Sequence, residues 1–145
     1  MEYKVSSVLS LISHIHSSTQ EFTNSRLSGE AKMVSSHGFI LYQLSLEEKL
    51  TMGEIAERIN RDKSTTTVLI KKLREQELVD VCPDTRDSRI KYISLTEKGR
   101  LLNSKTASIS KELLSVCYSD FTELEKETLL SLLVKMQKNI DNSLK

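Results

Sequence analysis

From residue 3 to residue 24 the apolar side chains recur at helical spacing, with Val5, Val8, Leu9, Ile12, Ile15 and Phe22 on one stripe. The stretch predicts a helix with one face to cover. A polar connection from Arg26 to Ser36, containing Gly29, follows, and a second helix is expected from about Ser35 with Phe39, Ile40, Leu41, Leu44 and Leu46 as its apolar set. At Thr51 the run T-M-G-E fits a capping box, in which the Thr51 hydroxyl accepts from the Glu54 N–H and the Glu54 carboxylate accepts from the Thr51 N–H. Leu50 and Ile55 supply the accompanying hydrophobic staple. Ile55, Ala56 and Ile59 form one apolar face, Asn60 tolerates the left-handed backbone of a turn, and Asp62 suits the N-cap of the next helix. On that helix Val68, Leu69 and Leu73 are expected on the buried side, which leaves Lys63, Ser64, Thr65, Thr67 and Lys71 facing outward.

After Leu78 the period shortens to that of a strand. Residues 78–82 (LVDVC) and 90–95 (IKYISL) alternate, and between them Pro83, Asp84, Thr85, Arg86, Asp87, Ser88 and Arg89 make a polar tip. Two antiparallel strands beside two packed helices make a wing, with Pro83 at a strand end where a missing N–H costs little. Beyond the wing, Thr96 caps a long helix to about Tyr118 carrying Leu102, Ile109, Leu113 and Val116, and Thr122 with Glu125 repeats the capping box. The last helix carries Leu129, Leu130, Leu132, Leu133, Met136, Ile140 and Leu144, which cover more than one of its faces. A lone chain of 145 residues has little left to cover them, so the terminal helices are expected to clasp those of a second copy in a homodimer.

Charge sharpens this picture. The chain carries 21 basic and 20 acidic residues, a net charge of only +1. Between Arg58 and Arg74, however, six basic residues (Arg58, Arg61, Lys63, Lys71, Lys72 and Arg74) face the single acid Asp62. Such a concentration is the electrostatic footprint of phosphate binding. Ser and Thr on the first turn of the second helix are poor helix formers that can reach phosphates, base edges and thymine methyls. At the wing tip Arg86 and Arg89 suit the negative potential of a narrow minor groove, and Asp87 is close enough to hold a guanidinium in place.

The order helix, helix, strand, D-x-R-D-x-R loop, strand, then S-L-T-E-K-G-R resembles the winged helix-turn-helix core of the MarR family of transcriptional regulators. LTMGEIAERI, RDKSTTTVLIKKL and PDTRDSRIKYISLTEKGR carry the resemblance, and its order and length extend over nearly the whole chain. Asn60 stands where Gly is frequent, and Arg61 where an apolar residue is common. The resemblance implies a homodimer on a pseudo-palindromic site in double-stranded DNA, usually a repressor released by a small-molecule effector or by oxidation. It places Ser64, Thr65 and Thr67 on the recognition helix and Arg89, supported by Asp87, at the wing tip, with Arg86 a second candidate. His37 and Tyr42 become the candidate effector contacts, because they stand near where the family often forms its pocket.

The expected fold is therefore mainly α with a small antiparallel β-hairpin wing: one domain over residues 1–145, with a winged helix-turn-helix core at 35–99 and dimerisation helices at 1–34 and 100–145. A hydrophobic content of 38% with 28% charged residues is ordinary for a globular protein. No apolar run approaches the roughly 20 residues that span a bilayer, and no secretory signal is legible at the start, so a cytoplasmic protein without membrane contact is expected. A Gly-rich phosphate loop, HExxH, Cys-x-x-Cys and a nucleophile elbow are all missing, so neither catalysis nor a cofactor is expected. His14, His16, His37, Cys82 and Cys117 lack metal-ligand spacing, and the two cysteines are expected to act as small apolar residues. Two other readings stay open. The winged helix could dock a protein partner, or Cys82 on the strand entering the wing could make a DNA-binding regulator sensitive to oxidants.

Overall fold

The computed structural model describes residues 2–27 and 35–145, so most of the polar connection expected around Gly29 lies outside the described residues. A 3-10 turn at Val5–Ser7 leads into α1 (Val8–Leu27). Then come α2 (Ser35–Ser45), β1 (Leu50–Thr51), α3 (Met52–Arg58), α4 (Lys63–Glu75), β2 (Val79–Pro83), β3 (Lys91–Leu95), α5 (Glu97–Cys117) and α6 (Glu123–Ser143). The three strands form an antiparallel sheet in the order β1-β3-β2, with Leu50 opposite Ile93 and Val81 opposite Ile93 on its other side. Pro83 pairs with Lys91 at the end of edge strand β2, where a ring nitrogen removes no ladder bond that the sheet needs. The chain divides into two compact units, Met1–Lys111 and Glu112–Lys145.

In the first unit the core is built from Ile40, Leu41 and Leu44 of α2, Ile55 of α3, Ile70 and Leu73 of α4, Leu78, Val79, Ile93 and Leu95 around the sheet, and Leu102 and Ile109 of α5. Each such side chain stabilises the fold by about 1.5–3 kcal/mol through removal from water. The capping box at the start of α3 is present: the Thr51 N–H donates to Glu54 Oε2 at 2.7 Å and the Glu54 N–H to Thr51 Oγ1 at 3.2 Å. Asn60 has φ 54°, the left-handed turn its side chain tolerates. Phe39 and Leu46, expected among the buried set of α2, are instead exposed. Gly99, Leu102, Thr106 and Ile109 give α5 its buried stripe.

Most of the expected stripe on α1 is uncovered within one chain: Val5, Val8, Leu9, Ile12 and Ile15 are exposed, and only Leu27 is buried. In the second unit Thr122 and Glu125 form their capping box, and Phe121 meets Tyr118 edge to face at 5.4 Å. No residue of α6 is buried; Leu129, Leu130, Leu132, Leu133, Val134, Ile140 and Leu144 all reach solvent.

Candidate nucleic-acid interface

α3, the turn at Asn60 and α4 make the helix-turn-helix. Asp62 starts α4 by accepting from the Thr65 N–H at 2.6 Å and the Ser64 hydroxyl at 2.9 Å. Those two bonds, the backbone one foremost, hold its carboxyl below the usual carboxylate range. Thr66, one turn in, is fully buried, and its hydroxyl donates to the Asp62 carbonyl at 2.8 Å. Because that polar group is satisfied inside the helix, a threonine can occupy a core position cheaply. The buried side of α4 is consequently Thr66, Ile70 and Leu73, with Leu69 partly buried against it. Val68, expected on that side, is 54% exposed. At about 100° per residue it stands nearly opposite Thr66 and Ile70.

Lys63, Ser64, Thr65, Thr67 and Lys71 are all exposed, so the structure brings these expected side chains together on the outer side of α4. Their short hydroxyls are engaged locally: Ser64 donates to Asp62, and Thr67 donates to the Lys63 carbonyl at 2.7 Å. Of the basic stretch, Arg58 faces elsewhere, donating to Glu47 Oε1 at 3.0 Å and Gln43 Oε1 at 3.3 Å. Arg61, Lys71, Lys72 and Arg74 remain exposed. The pairing of Arg58 leaves no signature in charge counting, because Gln43 lies on α2 and Glu47 in the turn that follows it.

The wing tip is ordered by two aspartates. Asp84 Oδ2 accepts from the N–H groups of Arg86 at 3.1 Å and Asp87 at 3.0 Å, and the Asp84 N–H donates to the Ile90 carbonyl at 2.8 Å. Asp87 grips Arg89 in a fork: Nε donates to Oδ1 at 3.0 Å and one terminal nitrogen to Oδ2 at 3.1 Å. The guanidinium hydrogen bonds, with the Arg89 N–H behind them, hold the Asp87 carboxyl below its ordinary range and push Arg89 up. The Arg89 side chain nevertheless remains 89% exposed, a braced cation presented to solvent. Arg86 is exposed on the same loop. Lower on the sheet, Lys49 Nζ lies 4.2 Å from the centre of the Tyr92 ring, a cation–π contact that the hydropathy pattern does not announce.

The two candidate effector contacts are not brought together. His37 is buried on α2, and neither imidazole nitrogen has a hydrogen-bond partner. Burial, and after it the Lys72 ammonium on α4, push its pKa below the ordinary histidine value. Tyr42 is exposed on the other side of α2 and stacks on Phe39, with ring centres 6.5 Å apart. A shallow concavity of about 590 Å³ lies along α1 between His16 and Ser25, and neither His37 nor Tyr42 lines it. Cys82 and Cys117 are both free and exposed, so neither fills the core as expected. Among the described residues no three His, Cys, Asp or Glu side chains converge to hold a metal, and no helix is long and apolar enough to cross a membrane.

Comparison with known proteins bears on this arrangement. Residues 35–90, from α2 through the wing loop, match the family model described as MarR family. The chain is 33% identical over 106 residues to the HTH-type transcriptional regulator YybA of Bacillus subtilis, which is itself uncharacterized, covering 72% of this chain and 71% of that one. It is equally 33% identical over 107 residues to the HTH-type transcriptional regulator SarZ of Staphylococcus aureus, covering 72% and 70% of the two chains. Among solved structures, MepR of S. aureus in complex with DNA superposes with a TM-score of 0.81 at 26% identity, covering 96% of this chain and 99% of that one. A helix-turn-helix with a cationic outer side, a hairpin wing ending in a braced arginine, and these relatives lead to one assignment: the chain belongs to the MarR family, as a transcriptional regulator with a DNA-binding winged-helix fold.

Proposed function

We propose that the chain acts as a homodimeric repressor that grips a pseudo-palindromic operator and lets go when a small-molecule effector binds. The observation that carries the reading is the pairing of two DNA-facing features on one lobe. The exposed side of α4, with Lys63, Ser64, Thr65, Thr67 and Lys71, suits the major groove; Arg89, braced by Asp87, suits the adjacent minor groove, with Arg86 beside it. That MepR is described as a DNA complex supports this use of the fold. The uncovered stripes of α1 and α6 support pairing with a second copy, so residues 1–34 and 100–145 serve as dimerisation segments around a reading core at 35–99.

In such a dimer the two α4 helices must stand about 34 Å apart to enter successive major grooves. An effector that prefers a mismatched spacing by about 3 kcal/mol releases the operator. His37, buried with both ring nitrogens unpartnered, is assigned the polar contact to such a ligand; Tyr42, on the outer side of α2, contributes only if the ligand extends there. The test is selection of bound duplexes from random sequence by the purified full chain. A recovered site with two-fold symmetry and half-sites one helical turn apart is expected. Failure to retain any duplex, with a protein partner captured instead, would make the winged helix an interaction module.

A further inference from the structure

Val68 is an apolar residue at the crown of the exposed side of α4, among Lys63, Lys71 and Lys72. It is 54% exposed, and the buried side of α4 is made by Thr66, Ile70 and Leu73. Counting about 100° per residue from those three, the outermost positions are Ser64, Val68, Lys71 and, at the C-terminal end of the helix, Glu75. Long lysines at 63, 71 and 72 flank the crown and can reach phosphates on either side. The short side chains between them offer few free donors. Ser64 gives its hydroxyl proton to Asp62, Thr67 gives its own to the Lys63 carbonyl, and the Thr65 side chain is also hydrogen-bonded to the Asp62 carboxylate.

What this crown presents to a groove is therefore hydroxyl oxygens as acceptors and, at its centre, a bare isopropyl group. The floor of the major groove holds one apolar feature, the C5-methyl of thymine. A β-branched side chain suits that target, because its stiff χ1 torsion fixes the methyl groups in space before binding and little freedom is lost on contact. We propose that Val68 is a specificity residue that reads the C5-methyl of one thymine in each half-site by apolar contact. The inference rests on the DNA-binding reading above and adds which side chain selects which base feature. Hydrogen-bonding side chains on α4 are not needed for this selection.

Deoxyuridine differs from thymidine only by the missing methyl, so it is the probe. Thymines in one half-site of the duplex recovered by selection are replaced singly by deoxyuridine, and affinities of the full chain are measured by fluorescence anisotropy. One position is expected to weaken binding about fourfold, the worth of one buried methyl-sized group. Val68→Ala, which favours the helix and sits on its exposed side, should fold normally. It should bind the thymine duplex about fourfold less tightly and lose the thymine preference at that position alone, while keeping its sensitivity elsewhere. Tight binding indifferent to every deoxyuridine, or a methyl preference that survives in Val68→Ala, overturns the inference and leaves the regulator reading intact. No retention of any duplex from the random pool overturns both.

Discussion

Arg89 is held in a way that separates affinity from stability. Its guanidinium is gripped through two hydrogen bonds by Asp87, yet the side chain is 89% exposed, and ion pairs open to water on this scale add little to folding. What the fork does is remove rotamer freedom from a long cation, so that less entropy is lost when it enters a groove. Arg89→Ala should therefore leave the thermal midpoint unchanged and weaken operator binding about tenfold to a hundredfold, the range of a specific Arg contact. Anisotropy on the selected duplex would measure it; unchanged affinity, with Arg86 intact, would move the wing contact to Arg86. The D-x-R spacing made this pair legible in the sequence, because both partners lie on one short loop. Val68 was not legible. Its apolar character argued for the core, and only the internal hydrogen bond of Thr66 explains why a threonine took the inner position and left the valine outside.

At the scale of elements, the close joint in the first unit lies between the end of α4 and the start of α5. Thr96 donates its hydroxyl to the Glu77 carbonyl at 2.7 Å and accepts from the Gly99 N–H at 3.0 Å, and Lys98 Nζ donates to the Gln76 carbonyl at 3.0 Å. Glu77 itself turns the chain at φ 61°. The approach is so tight that a Cβ on Gly99 would lie 2.0 Å from the Leu78 carbonyl oxygen, a backbone atom unable to swing aside. Gly99→Ala gains about 0.5–1 kcal/mol of helix preference but faces an overpacking cost of about 1–3 kcal/mol, so net destabilisation is expected. Gly53→Ala, whose Cβ would meet nothing nearer than Lys63 Cε at 3.9 Å, keeps only the gain. Urea midpoints of the two variants should move in opposite directions; a Gly99→Ala protein as stable as the parent would mean that the joint gives way freely. The helices and hairpin are legible because caps and periodicity span many residues. β1 is not, since two residues carry no period, and neither is the Glu77 turn, since glutamate does not advertise a left-handed backbone.

For the whole molecule the question is what covers the apolar residues that one copy leaves in water. Leu129, Leu133 and Ile140 follow one another on α6 at helical spacing and all reach solvent, as do Leu9, Ile12 and Ile15 on α1. Contiguous apolar surface of this extent is uncommon on a lone soluble chain and common where a second copy sits. Leu133→Glu places a charge in the middle of the α6 stripe. Within one chain no residue of α6 is buried, so helix content should hold, but in a dimer paired through this stripe the substitution would bury an unpaired carboxylate. Sedimentation velocity at micromolar concentration should find the parent chain as a dimer and the variant as single copies. Affinity for the two-fold site should then fall about a hundredfold or more, because the second reading head no longer benefits from tethering to the first. A parent chain that sediments as one copy at every concentration, or a variant that binds the full operator undiminished, would break the link between pairing and recognition. Half-site duplexes supply the internal control: the parent and the variant should bind a single half-site alike, since α4 and the wing are untouched by the substitution.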